Sequence, residues 1–240
     1  MNTFIAKTVD ELSEKVAGWL VEQVNEVLKK KDRFTIALAG GNTPKKLYSL
    51  LASDRYKDKI DWSRMHFFWG DERFVPFDDE RNNAKMAHLA LLDRVPVNPK
   101  NIHVIQTVGP EPEESAADYD QLLHAFFDDQ PNTFDLVLLG LGNDAHTLSL
   151  FPGYPVIKEN KKWVSAFYLQ SQEMYRVTLT PPVVNKAARV AFLVSGGDKA
   201  ASLYHVVSSE HDPALYPAQI IQPFSGGLYW FIDEAAAADL

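Results

Sequence analysis

The sequence contains no cysteine, which excludes disulfides, cysteine-ligated zinc and a thiol nucleophile. Any nucleophile must be water or a Ser, Thr, Lys, His or carboxylate side chain. No apolar run approaches the roughly 20 residues of a membrane span. The opening MNTFIAKTVDEL lacks the charged-then-apolar order of a signal peptide, so the expected location is the cytoplasm, with no membrane partner. Positive charge is in deficit: 24 basic against 32 acidic residues give a net charge of -8, which argues against a nucleic-acid partner. A small anionic substrate is still allowed, because two or three cations and a helix N-terminus can outweigh distant charges screened over about 8 Å. There is no internal repeat and no long Gly/Ser- or Pro-rich linker, so residues 1–233 are expected to form one domain, followed by an alanine-rich, fraying tail at 234–240.

Apolar side chains are plentiful: hydrophobic residues make up 46% of the 240 positions and aromatics 12%, enough for a sizeable core. Apolar periods near 3.6 predict helices at 9–29, 44–53, 83–93, 112–128 and 197–207. Apolar runs predict strands at 35–39, 65–69, 102–105, 136–139, 163–168, 175–180, 190–194 and 228–232. The repeated strand-then-helix order predicts an α/β fold, a doubly wound, mostly parallel sheet with helices on both faces, Rossmann-like and three-layered. Such sheets take ligands at the carboxyl ends of their strands.

Four segments could carry chemistry. In FDLVLLGLGNDAHTLSLFPG a fully apolar strand runs into Gly140 and Gly142 and then delivers Asp144 and His146. An imidazole suits water activation near neutrality, and a carboxylate two residues away can fix its tautomer, although an Asp-x-His pair alone is weak and Asp144 could be only a helix cap. In AGGNTPKKLYSLL, a strand meets Gly40 and Gly41 and then Asn42, Thr43 and Pro44 at a helix start. Thr43 is placed as N-cap and Pro44 as the first helical residue, and the free N–H groups there could hold an anion. The same residues also serve a plain strand-to-helix turn.

In FFWGDERFVPFDDERNNAK, Asp71, Glu72 and Arg73 follow a strand. Arg73 reads as an oxyanion clamp, whereas Glu72, Asp78, Asp79 and Glu80 read as a solvated turn with internal ion pairs. RVTLTPP and VSGGDKAASL contribute Arg176 and Lys199, cations expected opposite the N-terminus of the 44–53 helix. Ser149 lacks a GxSxG elbow, and His66, His88, His103, His124, His205 and His211 show no paired spacing such as HExxH, so no metal site is expected.

Taken in order, GGNTP at 40–44, WGDER at 69–73, GLGNDAHTLSLFPG at 140–153, RVTLT at 176–180 and SGGDK at 195–199 resemble the 6-phosphogluconolactonase family, within the wider group that also holds glucosamine-6-phosphate deaminase. The resemblance covers nearly the whole chain. It implies hydrolysis of 6-phospho-D-glucono-1,5-lactone to 6-phosphogluconate in the oxidative pentose phosphate pathway, without cofactor or metal, by a monomer or weak homodimer whose partner is a small sugar phosphate. It further implies that His146 is the general base and that Asp144 orients it. Gly41, Asn42, Thr43, Arg176 and Lys199 would hold the phosphate, and Arg73 would assist there or near the lactone. WGDER, and LSLFPG in place of a segment supplying a glutamate after the histidine, favour the lactonase over the deaminase. The chain departs from the family pattern at Ala145, where glycine is usual, and at Leu148, where a smaller residue is common. If the position needs positive φ, alanine strains it; if it needs space, the β-carbon crowds the sugar. A sugar-phosphate-binding regulator without catalysis is the alternative that Ala145 would support.

Overall fold

The computed structural model describes residues 2–240. Six strands form a wholly parallel sheet: β1 (Asn2–Ala6), β2 (Phe34–Leu38), β3 (Met65–Trp69), β5 (Leu136–Leu139), β8 (Arg189–Val194) and β9 (Gly227–Asp233), in the order β1-β9-β8-β5-β2-β3. Every residue of β2 and of β5 is buried, as expected of strands covered on each side. Helices α1 (Val9–Leu28), α2 (Asn42–Leu51), α3 (Asn83–Ala90), α4 (Pro112–Phe127), α5 (Pro181–Asn185) and α6 (Ala200–Ser208) surround it, giving the three-layer α/β fold expected from the sequence. The order reverses between β2 and β5, because the chain runs from β2 outward to β3 and later returns to β5 on the other side of β2. The crevice above that switch point is where an open α/β sheet takes its ligand.

Two strands expected in this sheet belong elsewhere. Strands β6 (Val164–Leu169) and β7 (Met174–Leu179) join the short β4 (Asp71–Arg73) in a separate antiparallel sheet of order β4-β7-β6. The short turn at 170–173, with Glu173 left-handed at φ 48°, folds β6 and β7 into a hairpin, so no helical crossover separates them. The strand expected at 102–105 does not form: Ile102 makes one isolated bridge to Phe67, and the Tyr119 hydroxyl takes the His103 carbonyl at 3.1 Å, using a group a strand would need. At the C-terminus, Glu234 N donates to Ala6 O at 2.8 Å and Ala236 is fully buried, so this part of the expected fraying tail is packed. No helix among the described residues is long and apolar enough to cross a membrane.

Candidate active site

Two adjoining cavities open above the switch point. One, of about 300 Å³, is lined by residues that include Gly40, Gly41, Asp71, Arg73, Asn83, Gly142, His146, Gln172, Arg176 and Lys199. The other, of about 390 Å³, is lined by Asn42, Thr43, Pro44, Ser195 and Asp198, and shares Gly40, Gly41, Gly140, Leu141 and Lys199 with the first. The residues expected to hold one phosphate are thus divided. Arg73 and Arg176 face the cavity of His146, Asn42 and Thr43 face its neighbour, and Gly41 and Lys199 border both.

The loop after β5 builds the histidine's setting. Gly142 N donates to His146 O at 2.8 Å and Ala145 N to Gly142 O at 3.0 Å, folding the chain tightly before the histidine. A β-carbon on Gly142 would lie 2.1 Å from His146 Nδ1, so only glycine lets the ring lie back over its own loop. Nδ1 sits 2.5 Å from Asp144 Oδ1, which also accepts the His146 backbone N–H at 3.2 Å. With Nδ1–H donated to the carboxylate, Nε2 carries the lone pair. Burial works to raise the Asp144 pKa, but the hydrogen bond and charge of His146 and nearby backbone N–H groups win and hold it below the usual carboxylate value. The His146 side chain is 29% exposed, so the pair is reachable by water.

Both departures from the family pattern fall on strained backbone: Ala145 has φ 60° and Leu148 φ 55°. The position of Ala145 therefore asks for positive φ. Space is not at issue, since Ala145 is 1% exposed and absent from the lining of either cavity. Its carbonyl accepts from Ala218 N at 3.0 Å, and the Leu148 side chain fills the space beside Gly70, contacts that hold the two turns in place.

The antiparallel sheet supplies the charges. Arg73 and Arg176 are direct cross-strand partners on β4 and β7, an arrangement in which like charges repel. Arg176 is 4% exposed; one guanidinium nitrogen lies 3.6 Å from Asp71 Oδ2 and another donates to Gln172 Oε1 at 2.5 Å. Arg73 donates to the Arg81 carbonyl at 2.8 Å. The Nε atoms of both arginines are buried without a partner, a costly condition unless an acceptor arrives. Burial lowers the pKa of Arg176, partly countered by Asp71, and Arg73's like charge lowers it further.

Several expectations about the charged segments are corrected. Glu72 is buried in β4, not in a solvated turn, and Asp71 is buried on the same strand. Asp71 accepts from Ser149 Oγ at 2.6 Å, beside Arg176. Glu72 turns away to the start of α3, where its carboxylate accepts from the backbone N–H groups of Asn83 at 2.7 Å, Ala84 at 2.8 Å and Arg73 at 2.9 Å. Burial pushes it up to about 7 against those three donors, with the Asp71 charge adding to the rise. Thr43 is not the N-cap, nor Pro44 the first helical residue: Gly41, two residues before Thr43 and at φ 100°, caps α2, Pro44 is its third residue, and the Thr43 hydroxyl pairs with Ser195 Oγ at 2.7 Å. Lys199 caps α6 and is bonded to Asn143 Oδ1, with Asp198 at 3.3 Å. Asn143 stood inside a motif already singled out, whereas Gln172 lies in a hairpin turn with no sequence signal of function. Among the described residues no cluster of three His, Asp or Glu is placed to hold a metal ion.

The fold and this crevice define a doubly wound α/β protein that brings a histidine–carboxylate pair and two facing arginines together at the switch point of its sheet. The family model for glucosamine-6-phosphate isomerases/6-phosphogluconolactonase matches residues 7–230, and the chain belongs to that family. It is 39% identical to a 6-phosphogluconolactonase of Nostoc sp. over 243 residues, covering 98% of each chain. It is also 39% identical to the 6-phosphogluconolactonase of Synechocystis sp., covering 95% of this chain and 94% of the relative. Among solved structures, the 6-phosphogluconolactonase of Trypanosoma brucei superposes with a TM-score of 0.85 at 29% identity, over 100% of this chain and 98% of that one.

Proposed function

We propose that this chain hydrolyses 6-phospho-D-glucono-1,5-lactone to 6-phosphogluconate, with His146 as the base. His146 Nε2 takes a proton from water as the water oxygen attacks the lactone carbonyl. The imidazolium, steadied by Asp144, then returns a proton to the ring oxygen as the C–O bond breaks. The phosphate lies where the two cavities meet, between the Gly41 backbone, Lys199 and Arg176, with Arg73 completing the clamp. The lactone extends towards His146.

The observation that carries this reading is the Arg73–Arg176 pair: two like charges held opposite one another, each with a buried unpartnered donor, in the cavity of an oriented histidine. An anionic ligand relieves both costs at once. The demand on catalysis is modest, since a lactone is already activated and a positioned base is worth about 10²–10⁴-fold. The reading takes residues 1–233 as one domain, acting as a monomer or weak homodimer in the cytoplasm, where a free phosphorylated sugar would be met.

The test is the hydrolysis rate of freshly generated lactone above its spontaneous opening. His146→Ala should lose most of the acceleration while keeping 6-phosphogluconate affinity within a few-fold. Equal loss of turnover and binding would overturn the division of roles. Binding by the unaltered protein without turnover would favour the non-catalytic regulator.

A further inference from the structure

We infer that Phe151 is a positioning residue that sets His146 and Arg176 against one aromatic ring, coupling the base to the anion clamp. The inference rests on the reading of His146 as the base. The His146 imidazole stacks on Phe151 with ring centroids 4.0 Å apart and planes 27° from parallel. The Arg176 guanidinium lies over the same ring, 5.8 Å from its centroid, within the range of a cation–π contact. A phenylalanine that is 7% exposed would ordinarily be filling the core, but these two neighbours are not core residues. One is a partly exposed imidazole hydrogen-bonded to Asp144 and the other a buried cation with a free donor.

The backbone explains how a residue five positions after the histidine returns to it. The left-handed steps at Ala145 and Leu148 flank His146, and Leu150 N donates to Thr147 O at 2.9 Å, closing the second turn. Two non-glycine residues in that region are strained, and such strain collects where a geometry is needed. The geometry obtained here is the stack. Hydrogen bonds and ring contacts then close a circuit: Phe151 packs edge-on to Tyr154 at 6.3 Å, the Tyr154 hydroxyl accepts from Gln170 N at 3.1 Å, and Gln172 of the same turn holds Arg176.

In this arrangement the Asp144 hydrogen bond fixes which nitrogen is free, and the Phe151 face fixes the plane in which it points. Since a misplacement of about 1 Å can cost roughly 10²-fold in rate, the ring should govern kcat as well as binding. The variants to make are Phe151→Leu, which keeps apolar volume without a face, and Phe151→Tyr, which keeps the face. Phe151→Leu should lower kcat at least about tenfold and raise KM a few-fold through Arg176, while Phe151→Tyr stays within a few-fold of the unaltered protein. Leu148 is left intact in both.

The decisive readout needs no variant of Phe151. The carbon-bound ring protons of His146, assigned by their loss in His146→Ala, should be shifted upfield by the aromatic ring in proton NMR of the unaltered protein, and should move back downfield in Phe151→Leu. Absence of that shift in the unaltered protein overturns the inference even if a variant fails to fold. So does a Phe151→Leu enzyme with kcat unchanged. Because His146→Ala is measured alongside, loss of activity there with an indifferent Phe151→Leu rejects this inference while leaving the function standing. Retained activity in His146→Ala rejects both.

Discussion

The two sheets contribute to the crevice in opposite ways. The parallel sheet brings backbone: the strand ends of β2 and β5 present Gly40, Gly41, Gly140 and Gly142, an opening helix and a tight loop that carries the histidine. The antiparallel sheet brings charge, burying Asp71, Glu72 and Arg176 on strands only three to six residues long. A parallel sheet buried on both faces has no room for ionised side chains along its strands, so it can offer only its ends. A small sheet at the rim can bury cations because carboxylates are buried with them, and because one face looks into the ligand's cavity. The lesson is that the buried charges and the histidine–carboxylate pair are held by two structures that can be broken separately.

The largest effect expected of such a break separates the two sources of phosphate affinity. Arg176→Ala removes charge-assisted hydrogen bonds worth about 1.5–3 kcal/mol, roughly ten- to a hundredfold in KM for the phosphorylated lactone, and makes unphosphorylated gluconolactone relatively less disfavoured. Thr43→Val removes only the hydroxyl that pairs with Ser195 at the start of α2, and should cost only a few-fold. Steady-state kinetics with both lactones checks the order. The reverse order would move the phosphate into the cavity beside α2 and leave the arginines to the lactone.

A smaller effect distinguishes the sheets by pH. On β3, at the edge of the parallel sheet, His66 Nδ1 lies 3.1 Å from His103 Nε2. Burial, with the charges of His66 and Arg33, pulls His103 from 6.5 down to about 4, and burial with Arg33 lowers His66. Between those values the folded state holds fewer protons than the unfolded one, so this pair's contribution is complete above 6.5 and is lost as pH falls towards 4. Glu72 on β4 has the opposite sign. Raised from 4.5 to about 7, it keeps a proton in the folded state that the unfolded chain has released, so stability falls as pH rises through that window. The two slopes oppose each other where the windows overlap. Denaturant midpoints across this range should therefore vary little in the unaltered protein. In His103→Asn they should decline as pH rises, because Glu72 is then opposed by His66 alone. Continued loss of stability on acidification of His103→Asn would assign the acid limb to other groups.

The same contrast governs how much was legible in sequence. The buried strands 65–69 and 136–139 were read to the residue, because apolar runs bounded by glycine announce their ends. His146, Asp144, Arg73, Arg176 and Lys199 stand out in the sequence, and the structure gathers them around one crevice. The second sheet was not visible. Strand β4 is Asp-Glu-Arg, which by composition is a turn, and only tertiary burial makes it a strand. The roles of Asp71 and Glu72 were equally hidden, since adjacent residues of a strand point to opposite sides and sequence does not say which side is the cavity. β1 was missed because its first four residues are exposed and show no alternation. The N-cap at Gly41 was missed because φ 100° there depends on how the strand delivers the chain to α2, which hydroxyl-based capping patterns do not register.

The smallest expected effect concerns the loop that belongs to the parallel sheet alone. Replacing Ala145 by glycine relieves a left-handed residue, a gain of roughly 1–2 kcal/mol. Against it stand about 0.8 kcal/mol for a buried methyl group and about 0.4–1 kcal/mol for the freer unfolded chain. The contributions nearly cancel, so Ala145→Gly should change stability by less than about 1 kcal/mol, a shift in Tm of roughly 2–4 °C at most. Its kcat should stay within about twofold, because Ala145 is buried and lines neither cavity and the carbonyl hydrogen bond to Ala218 is kept. Thermal unfolding and kinetics on one preparation check this. A tenfold rise in kcat at unchanged Tm would mean that the alanine tilts His146 off its line of attack, and that the usual glycine serves catalysis and not merely the turn.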